Sequence, residues 1–301
     1  MNAAQRSARN AFAALALDRT TALRRDSAWL AAAREASSGA RYVLGLPESL
    51  LWTTPAGDAL QLLPPDALTP AQRATASLLG CDAAGRAYFR CDAGAAPAAP
   101  GQALGLRALA ASVSAFDAGL AAYALALGHW QRNSRYCPAC GNACIHDEAG
   151  HRARCTACAT TQFPRTDPAV IVLVEHGDAA LLGRRAGWPA GRFSTLAGFV
   201  EPGETLEDAV RREVAEESGA QVIASEYHSS QPWPFPASLM LGFTAQAATR
   251  DLTAGDGELA ELRWLSRDTL RAGLASGALS LPPAFSVAFH LIRDWLARAP
   301  N

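Results

Sequence analysis

Glu213, Glu216 and Glu217 stand at i, i+3 and i+4 with Arg212 directly before them, in the stretch Gly198-Phe-Val-Glu-Pro-Gly-Glu204-Thr-Leu-Glu-Asp-Ala-Val-Arg-Arg-Glu-Val-Ala-Glu-Glu-Ser-Gly219-Ala220. Thr205 with Asp208 reads as a capping start and Gly219 as a stop, so a helix is predicted between them. At about 100° per residue, Leu206, Val210 and Val214 define an apolar stripe. Glu213 and Glu217 then fall about 20° either side of Leu206, and Glu216 about 80° from it beside Ala209. Asp208, Arg211, Ala215 and Ser218 point the other way. Solvated carboxylates would lie opposite the stripe; gathered at its edge they repel one another and lose water. A hard divalent cation removes that cost, because Mg2+ takes carboxylate oxygens and keeps waters for substrate phosphates. Arg212 can brace the cluster by charge-assisted hydrogen bonds.

Cys137-Pro-Ala-Cys140 and Cys155-Thr-Ala-Cys158 form two C-x2-C pairs separated by 14 residues. Two such knuckles offer four thiolates in the tetrahedral arrangement of a structural Zn2+ site, and Gly141 suits the first knuckle's turn. Four protein ligands leave no open position for chemistry, so this module is assigned structure. His146 and His151 lie between the pairs and are expected as surface histidines on a hairpin tip. The intervening loop has no Phe, Tyr or Trp for base stacking and mixes Arg152 and Arg154 with Asp147 and Glu148. The module alone therefore does not indicate nucleic-acid binding. Cys81, Cys91 and Cys144 are read as buried or incidental, with Cys144 a distant candidate for metal exchange.

The glutamate stretch resembles the Nudix box, G-x5-E-x7-R-E-U-x-E-E-x-G-U, where U is bulky and apolar. Every fixed position is met except the last, where Ala220 stands. The resemblance implies an α/β/α sandwich with a mixed sheet and metal-dependent hydrolysis of a nucleoside diphosphate linked to another group. It gives Glu213 and Glu217 the role of principal Mg2+ or Mn2+ ligands, with Glu216 beside them and the carbonyl of Ala197 as a further ligand.

Downstream, Ser230-Gln231-Pro232-Trp233-Pro234-Phe235-Pro236-Ala237-Ser238 alternates prolines with aromatics and reads as a stiff loop presenting flat rings. The order of zinc ribbon, Nudix box and SQPWPFPxS resembles the NADH pyrophosphatase (NudC-type) branch of the superfamily, over roughly residues 130–297, including Ser286-Val-Ala288. That resemblance implies cleavage of NAD(H) into nicotinamide mononucleotide and AMP, and the removal of NAD caps from RNA in some members. It places Gln231 to Ser238, among them Pro232, Pro234, Pro236 and Ala237, in the substrate pocket with Ala288. Trp233, Phe199 and Phe163 are the candidate stacking rings. Glu258 resembles the distant carboxylate that completes the metal site, with Glu261 as its alternative three residues on. Either Glu216 or Glu258 could accept the proton of an attacking water. No Ser/His/Asp constellation is visible in the sequence. The resemblance also carries an expected homodimer. A rival from another class is a non-catalytic regulator that keeps the fold and contacts nucleic acid through its ribbon; it predicts a damaged box.

Around these residues the 301-residue chain is expected to be a mixed α/β protein. Three parts are anticipated: an N-terminal mixed α/β domain over 1–130, the ribbon over 131–164 and the Nudix domain over 165–301. Half its residues are apolar, 18% are charged and the net charge is −1, so no broad electrostatic footprint for nucleic acid is expected. The longest charge-free apolar run, 118–128, is far short of the roughly 20 residues a membrane span needs. The first twenty residues lack the long apolar core of a signal peptide. Arg6 and Arg9 without an early acid would suit a mitochondrial-type presequence, but a frayed arm or first helix is the favoured reading. Seven cysteines, four in a metal-like array, argue for a reducing and hence cytoplasmic setting. Strands are predicted near 41–46, 49–53, 59–63, 74–79, 86–91, 169–175, 179–183, 221–227 and 239–247. Helices are predicted over 104–131 and 285–297, with a linker at 92–103.

Overall fold

A computed structural model describes residues 1–298 apart from 14, 47–48, 94–100 and 254–256. Its contacts divide the chain into two compact units, one of Ala14–Thr166 with Trp233–Ala237, the other of Met1–Ala13, Asp167–Pro232 and Ser238–Asn301. The cysteine module thus groups with the N-terminal region, and the first thirteen residues group with the later one.

The later unit is organised on the strand Asp167–His176. Side chains alternate across a strand, so this run of apolar residues feeds two cores at once. Val170, Val172 and Val174 pack with Ala209, Val210 and Val214 of the helix Leu206–Ser218. Ile171 and Leu173 pack with Leu291, Ile292 and Trp295 of the helix Val287–Ala297 and with Leu270 of the helix Arg267–Ser276. The result is helix, mixed sheet, helix. Ser238–Ala247 pairs with the central strand in parallel, whereas Ala179–Arg185 and Leu196–Phe199 pair with it antiparallel. Leu259–Ser266 and Val222–Trp233 form the two edges. Burying each Val or Leu contributes about 1.5–3 kcal/mol, so the two faces rather than helix propensity hold the glutamate helix in place.

The segment expected as a loop at 230–238 is a hairpin whose first strand runs on through Gln231, Pro232 and Trp233. Pro232 is tolerated there because the strand is an edge and needs no further ladder donor. The N-terminal stretch is no frayed arm. Its helix Ala3–Ser7 carries an Asn2 capping box, and the next turns are bound to the sheet. Arg6 Nε donates to His228 O at 2.8 Å, Asn10 Nδ2 to Ser230 O at 2.8 Å, and Arg9 pairs with Asp294. Arg267–Ser276, Leu196–Phe199 and Leu259–Ser266 are elements that the sequence pattern alone does not indicate.

The earlier unit holds a five-stranded sheet in the order Ser77–Cys81, Ala87–Asp92, Arg41–Gly45, Leu50–Trp52, Ala103–Gly105. Tyr42 stacks on Phe89 at 5.2 Å in its core. Residues 74–79 do not form one strand, because the Thr69 cap and Pro70 start a helix that runs to Thr75. Residues 59–63 make only isolated bridges, Leu60 to Thr53 and Leu63 to Tyr42. The helix predicted over 104–131 is two, Leu106–Ser112 and Ala115–Asn133, because Ser114 caps the second by accepting from Asp117 N at 3.1 Å. Of the expected linker, residues 94–100 lie outside the described residues.

His151 departs from expectation: it is 6% exposed, with Nε2–H donating to Leu78 O at 2.7 Å. Gly150, at φ +89°, turns the ribbon hairpin onto Ser77 and carries His151 inward. Burial pushes its pKa down to about 4. The unfolded chain, with an imidazole near pKa 6.5, therefore binds more protons between these values. Stability is full above about pH 6.5 and falls as pH drops towards 4, by on the order of 3 kcal/mol. Urea unfolding of this protein and of His151→Gln across pH 4–7 checks it; the variant should have a shallower slope, the remainder coming from His146, His228 and His290, which burial also holds below the usual imidazole range, and equal slopes would contradict it.

Candidate metal and nucleotide site

The helix Leu206–Ser218 begins and ends as its residues dictate. Thr205 Oγ1 accepts from Asp208 N at 3.2 Å, and Gly219 closes it at φ +71° with its N–H on Ala215 O at 2.8 Å. Val210 and Val214 are fully buried, and this sets the rotation of the glutamates. Glu217 is 4% exposed, Glu213 has a 14% exposed side chain, and Glu216 is about half exposed. The predicted inward edge is thus realised. Ser218 is not on the solvent side, where the helical projection puts it, but fully buried. Thr253 covers the last turn through its N–H on Ser218 O at 3.0 Å, a contact no single-helix projection contains. Ala220, the one departure from the box, is 2% exposed within the same core.

Arg212 organises the cluster. Nε and Nη2 hold Glu204 at 2.8 and 2.9 Å, Nη1 holds Glu213 and Glu216 at 2.9 Å each, and Nη2 also reaches Phe199 O at 2.8 Å. A guanidinium has five N–H donors, and here each is engaged. Glu204 stands at a fixed position of the box, and the structure makes it half of the clamp. Its carboxyl is held below the usual range chiefly by Arg212. Glu213 is the opposite case: burial raises its pKa against the pull of Arg212. A carboxylate so placed lacks positive charge.

The backbone supplies the other wall. A Cβ built on Gly198 would stand 1.8–2.0 Å from the carboxyl atoms of Glu213, so only glycine lets the strand Leu196–Phe199 approach. Ala197, whose carbonyl the resemblance nominates, is the residue before it. Glu213 against Gly198, with the buried Glu217 on the same edge of the helix, is the carboxylate chemistry that a hard divalent cation takes. Glu258 lies just before the strand Leu259–Ser266, 62% exposed, with Arg185 at 4.0 Å. Glu261, the alternative, is taken up by Arg184 at 3.0 Å and by Arg263.

Of the ring candidates, Phe199 is 59% exposed in the later unit, and Phe163 is 55% exposed in the earlier one. Trp233 and Phe235 meet edge to face at 5.1 Å, and the Arg107 guanidinium lies 3.9 Å over Phe235. Pro234, Pro236 and Ala237 make the tip of the hairpin and Ser238 begins its second strand. Gln231 is a clamp: Nε2 donates to Phe285 O at 2.8 Å and Ala11 O at 3.1 Å, and Oε1 accepts from Val287 N at 2.8 Å. Its hydrogen-bonding groups are spent on backbone, and Ala288 sits in the core at 3% exposure. The structure therefore gives both residues a part in positioning the segment 283–288.

The fold also builds a Ser/His/Asp constellation that the sequence did not reveal. His228 lies 2.8 Å from Ser229 Oγ through Nδ1 and 3.0 Å from Asp294 Oδ2 through Nε2. Ser229 has no exposed surface and receives Asn10 Nδ2 at 3.3 Å, so the set pins the N-terminal segment and admits no substrate.

In the earlier unit, Cys137, Cys140, Cys155 and Cys158 bring their sulfurs within 4.8 Å of one another, three of the pairs at 3.4–3.6 Å. Four sulfurs about 2.3 Å from a tetrahedral Zn2+ would be spaced close to this. Gly141 N–H on Cys137 O at 2.9 Å closes the first knuckle as expected. Cys144 is outside the four, with its sulfur 3.7 Å from Gln162 Nε2.

The NUDIX domain model matches residues 164–285. With the sandwich and the intact box, this match and the relatives below show that the chain belongs to the Nudix family, in its NudC-type branch. It is 41% identical over 211 residues to the NAD-capped RNA hydrolase NudC of Mycobacterium bovis BCG, covering 67% of each chain. It is 43% identical over 180 residues to NudC of Stutzerimonas stutzeri, covering 60% of this chain and 62% of that one. It is 40% identical over 198 residues to the human NAD-capped RNA hydrolase NUDT12, covering 62% of this chain and 43% of that one. The chain thus spans less than two thirds of the last two relatives.

Replacing Gly198 by Ala should leave the fold intact, since the clash is with a flexible side-chain end, but drive the Glu213 carboxyl from its seat. Calorimetric Mg2+ affinity should fall about tenfold or more, or about 1.4 kcal/mol. Unchanged affinity would contradict this site.

Proposed function

We propose that the chain hydrolyses the pyrophosphate bond of NAD(H), giving nicotinamide mononucleotide and AMP, and removes NAD caps from RNA by the same cut. The observation that carries this is the inward glutamate edge: Arg212 clamps Glu204, Glu213 and Glu216, Gly198 lies against Glu213, and Glu217 is buried one helical turn beyond it. Glu213 and Glu217, with Glu258 and the carbonyl of Ala197, would hold Mg2+ or Mn2+, which would supply charge neutralisation of the diphosphate and acidification of a water. Glu216 or Glu258 accepts that water's proton, and the half exposure of Glu216 leaves it open to solvent. Zn2+ on the four cysteines has a structural role. Phe199 in the later unit is one ring for the dinucleotide to stack on; Phe163, Trp233 and Phe235 are those of the earlier unit, with the residues from Pro234 to Ser238 next to the last two in sequence. Gln231 and Ala288 act by positioning the segment that follows Pro283. The relatives named as NAD-capped RNA hydrolases support this substrate class. A homodimer and a cytoplasmic setting accompany the reading. Among the described residues no helix is long and apolar enough to cross a membrane.

The non-catalytic alternative has no observation in its favour, because every ionisable position of the box is present and engaged. The test is product analysis of NADH, ADP-ribose, a dinucleoside polyphosphate and NAD-capped RNA under one Mg2+ condition. NADH should yield reduced nicotinamide mononucleotide and AMP, capped RNA should yield nicotinamide mononucleotide and a 5′-monophosphate end, and Glu217→Gln should reduce kcat by about a hundredfold or more, on the order of 3 kcal/mol of barrier. Near-wild-type turnover by that variant, or failure to cut any of the four, would overturn the proposal.

A further inference from the structure

A net charge near zero conceals one strong concentration of positive charge. Within the earlier unit a cavity of about 1060 Å3 is lined by seven arginines against two carboxylates, Asp92 and Glu148. Arg90 is neutralised by Asp92, Arg152 by Asp147 just outside the lining, and Glu148 is shared by Arg25 and Arg152. Among the described residues Arg24, Arg34 and Arg135 pair with no carboxylate, and Arg132 only approaches Asp92, at 4.0 Å. Arg24 reaches the Tyr123 hydroxyl at 3.3 Å and Arg34 the carbonyl of Ala76 at 2.6 Å, both neutral acceptors. The Nε atoms of Arg24 and Arg34 are buried without a hydrogen-bond partner. Burial lowers the pKa of Arg34, the sign of a cation short of compensation. Leaving guanidinium groups in this state is costly, and multivalent oxyanions remove the cost through forked N–H···O pairs.

We infer that this arginine-lined cavity binds consecutive phosphates of a single-stranded RNA chain. Two features select a phosphodiester chain. At about 1060 Å3 the cavity lies at the upper end of the roughly 300–1,000 Å3 of ligand pockets, room for more than one phosphate. Its lining contains no Phe, Tyr or Trp and is dominated by guanidinium groups, so its contacts are weighted to phosphates over bases, and binding should depend little on sequence. The inference deepens the reading of NAD-capped RNA as a substrate and rests on it: the chain behind the cap would be held through its backbone, whatever its sequence. The ribbon contributes His146 and Arg152 to the lining without needing aromatic residues of its own.

The test uses the full zinc-loaded chain with Arg25, Arg132 and Arg135 all changed to Gln, three residues at least partly exposed and outside the hydrolytic site. The probes are a short uncapped single-stranded RNA followed by fluorescence anisotropy, inorganic tripolyphosphate as competitor, and NADH as a separate substrate. Circular dichroism and zinc content verify folding. RNA affinity should fall about tenfold or more, and the slope of log affinity against log salt should flatten by about 0.7 for each phosphate the variant no longer grips. NADH turnover should be unchanged, and tripolyphosphate should displace RNA from the parent protein. Unchanged RNA affinity in the variant would overturn the inference. So would weaker tripolyphosphate binding with RNA affinity intact, which would make the cavity a site for free polyphosphate. Absence of NADH turnover in the parent protein would strike the proposed function, while the RNA titration would still read the cavity.

Discussion

One guanidinium sets the chemistry of this protein. Arg212 gathers Glu204, Glu213 and Glu216 and the carbonyl of Phe199, and so joins the glutamate helix to the glycine loop before it. A lysine could carry the charge but not a planar fork of five donors. The clamp works because the helix cannot rotate: Val210 and Val214 are locked into the sheet by a central strand that is apolar on both faces. Packing fixes the angle, the angle brings carboxylates to the core edge, and Arg212 offsets only part of the charge gathered there. Glu213, raised in pKa by burial while still holding Arg212, registers the remainder.

That the same logic recurs elsewhere in the chain gives the two units a common character. Four cysteine sulfurs within 4.8 Å of one another, three pairs at 3.4–3.6 Å, are ligands drawn together, which a tetrahedral cation would hold as thiolates. The arginine cavity is its mirror image, cations gathered with too few anions. In the later unit Arg9, His228 and Asp294 are balanced among themselves, and this set holds the N-terminal segment in place. Balanced clusters in this protein are structural, and unbalanced ones mark places where a ligand's charge is wanted.

The site was legible in the sequence to the extent that it is local. The glutamate rotation follows from three apolar residues and a helical period, and the zinc knuckles follow from spacing. Readings failed where a distant segment decides the outcome. Ser218 is buried because Thr253 closes over it, and His151 because Gly150 turns it onto Leu78. Gln231 was placed in the substrate pocket by the family resemblance of its motif. Its amide is instead consumed by Ala11, Phe285 and Val287, which are distant from it in sequence. The arginine cavity escaped composition altogether, since its seven cations come from residues 24 to 152 and a net charge of −1 averages them away. Strand errors had local causes: the Thr69-Pro70 start overrode a short apolar run, and Ser114 divided a helix whose periodicity ran on.

The central claim is that the Arg212 fork, by holding Glu204, Glu213 and Glu216, fixes a glutamate edge that takes a hard divalent cation. Electron paramagnetic resonance titration of Mn2+ into the parent protein and into Arg212→Lys tests this without depending on any substrate. The account predicts saturable binding in the parent and an affinity about tenfold or more weaker in the variant, with circular dichroism unchanged. Equal Mn2+ affinity in the two proteins would contradict it.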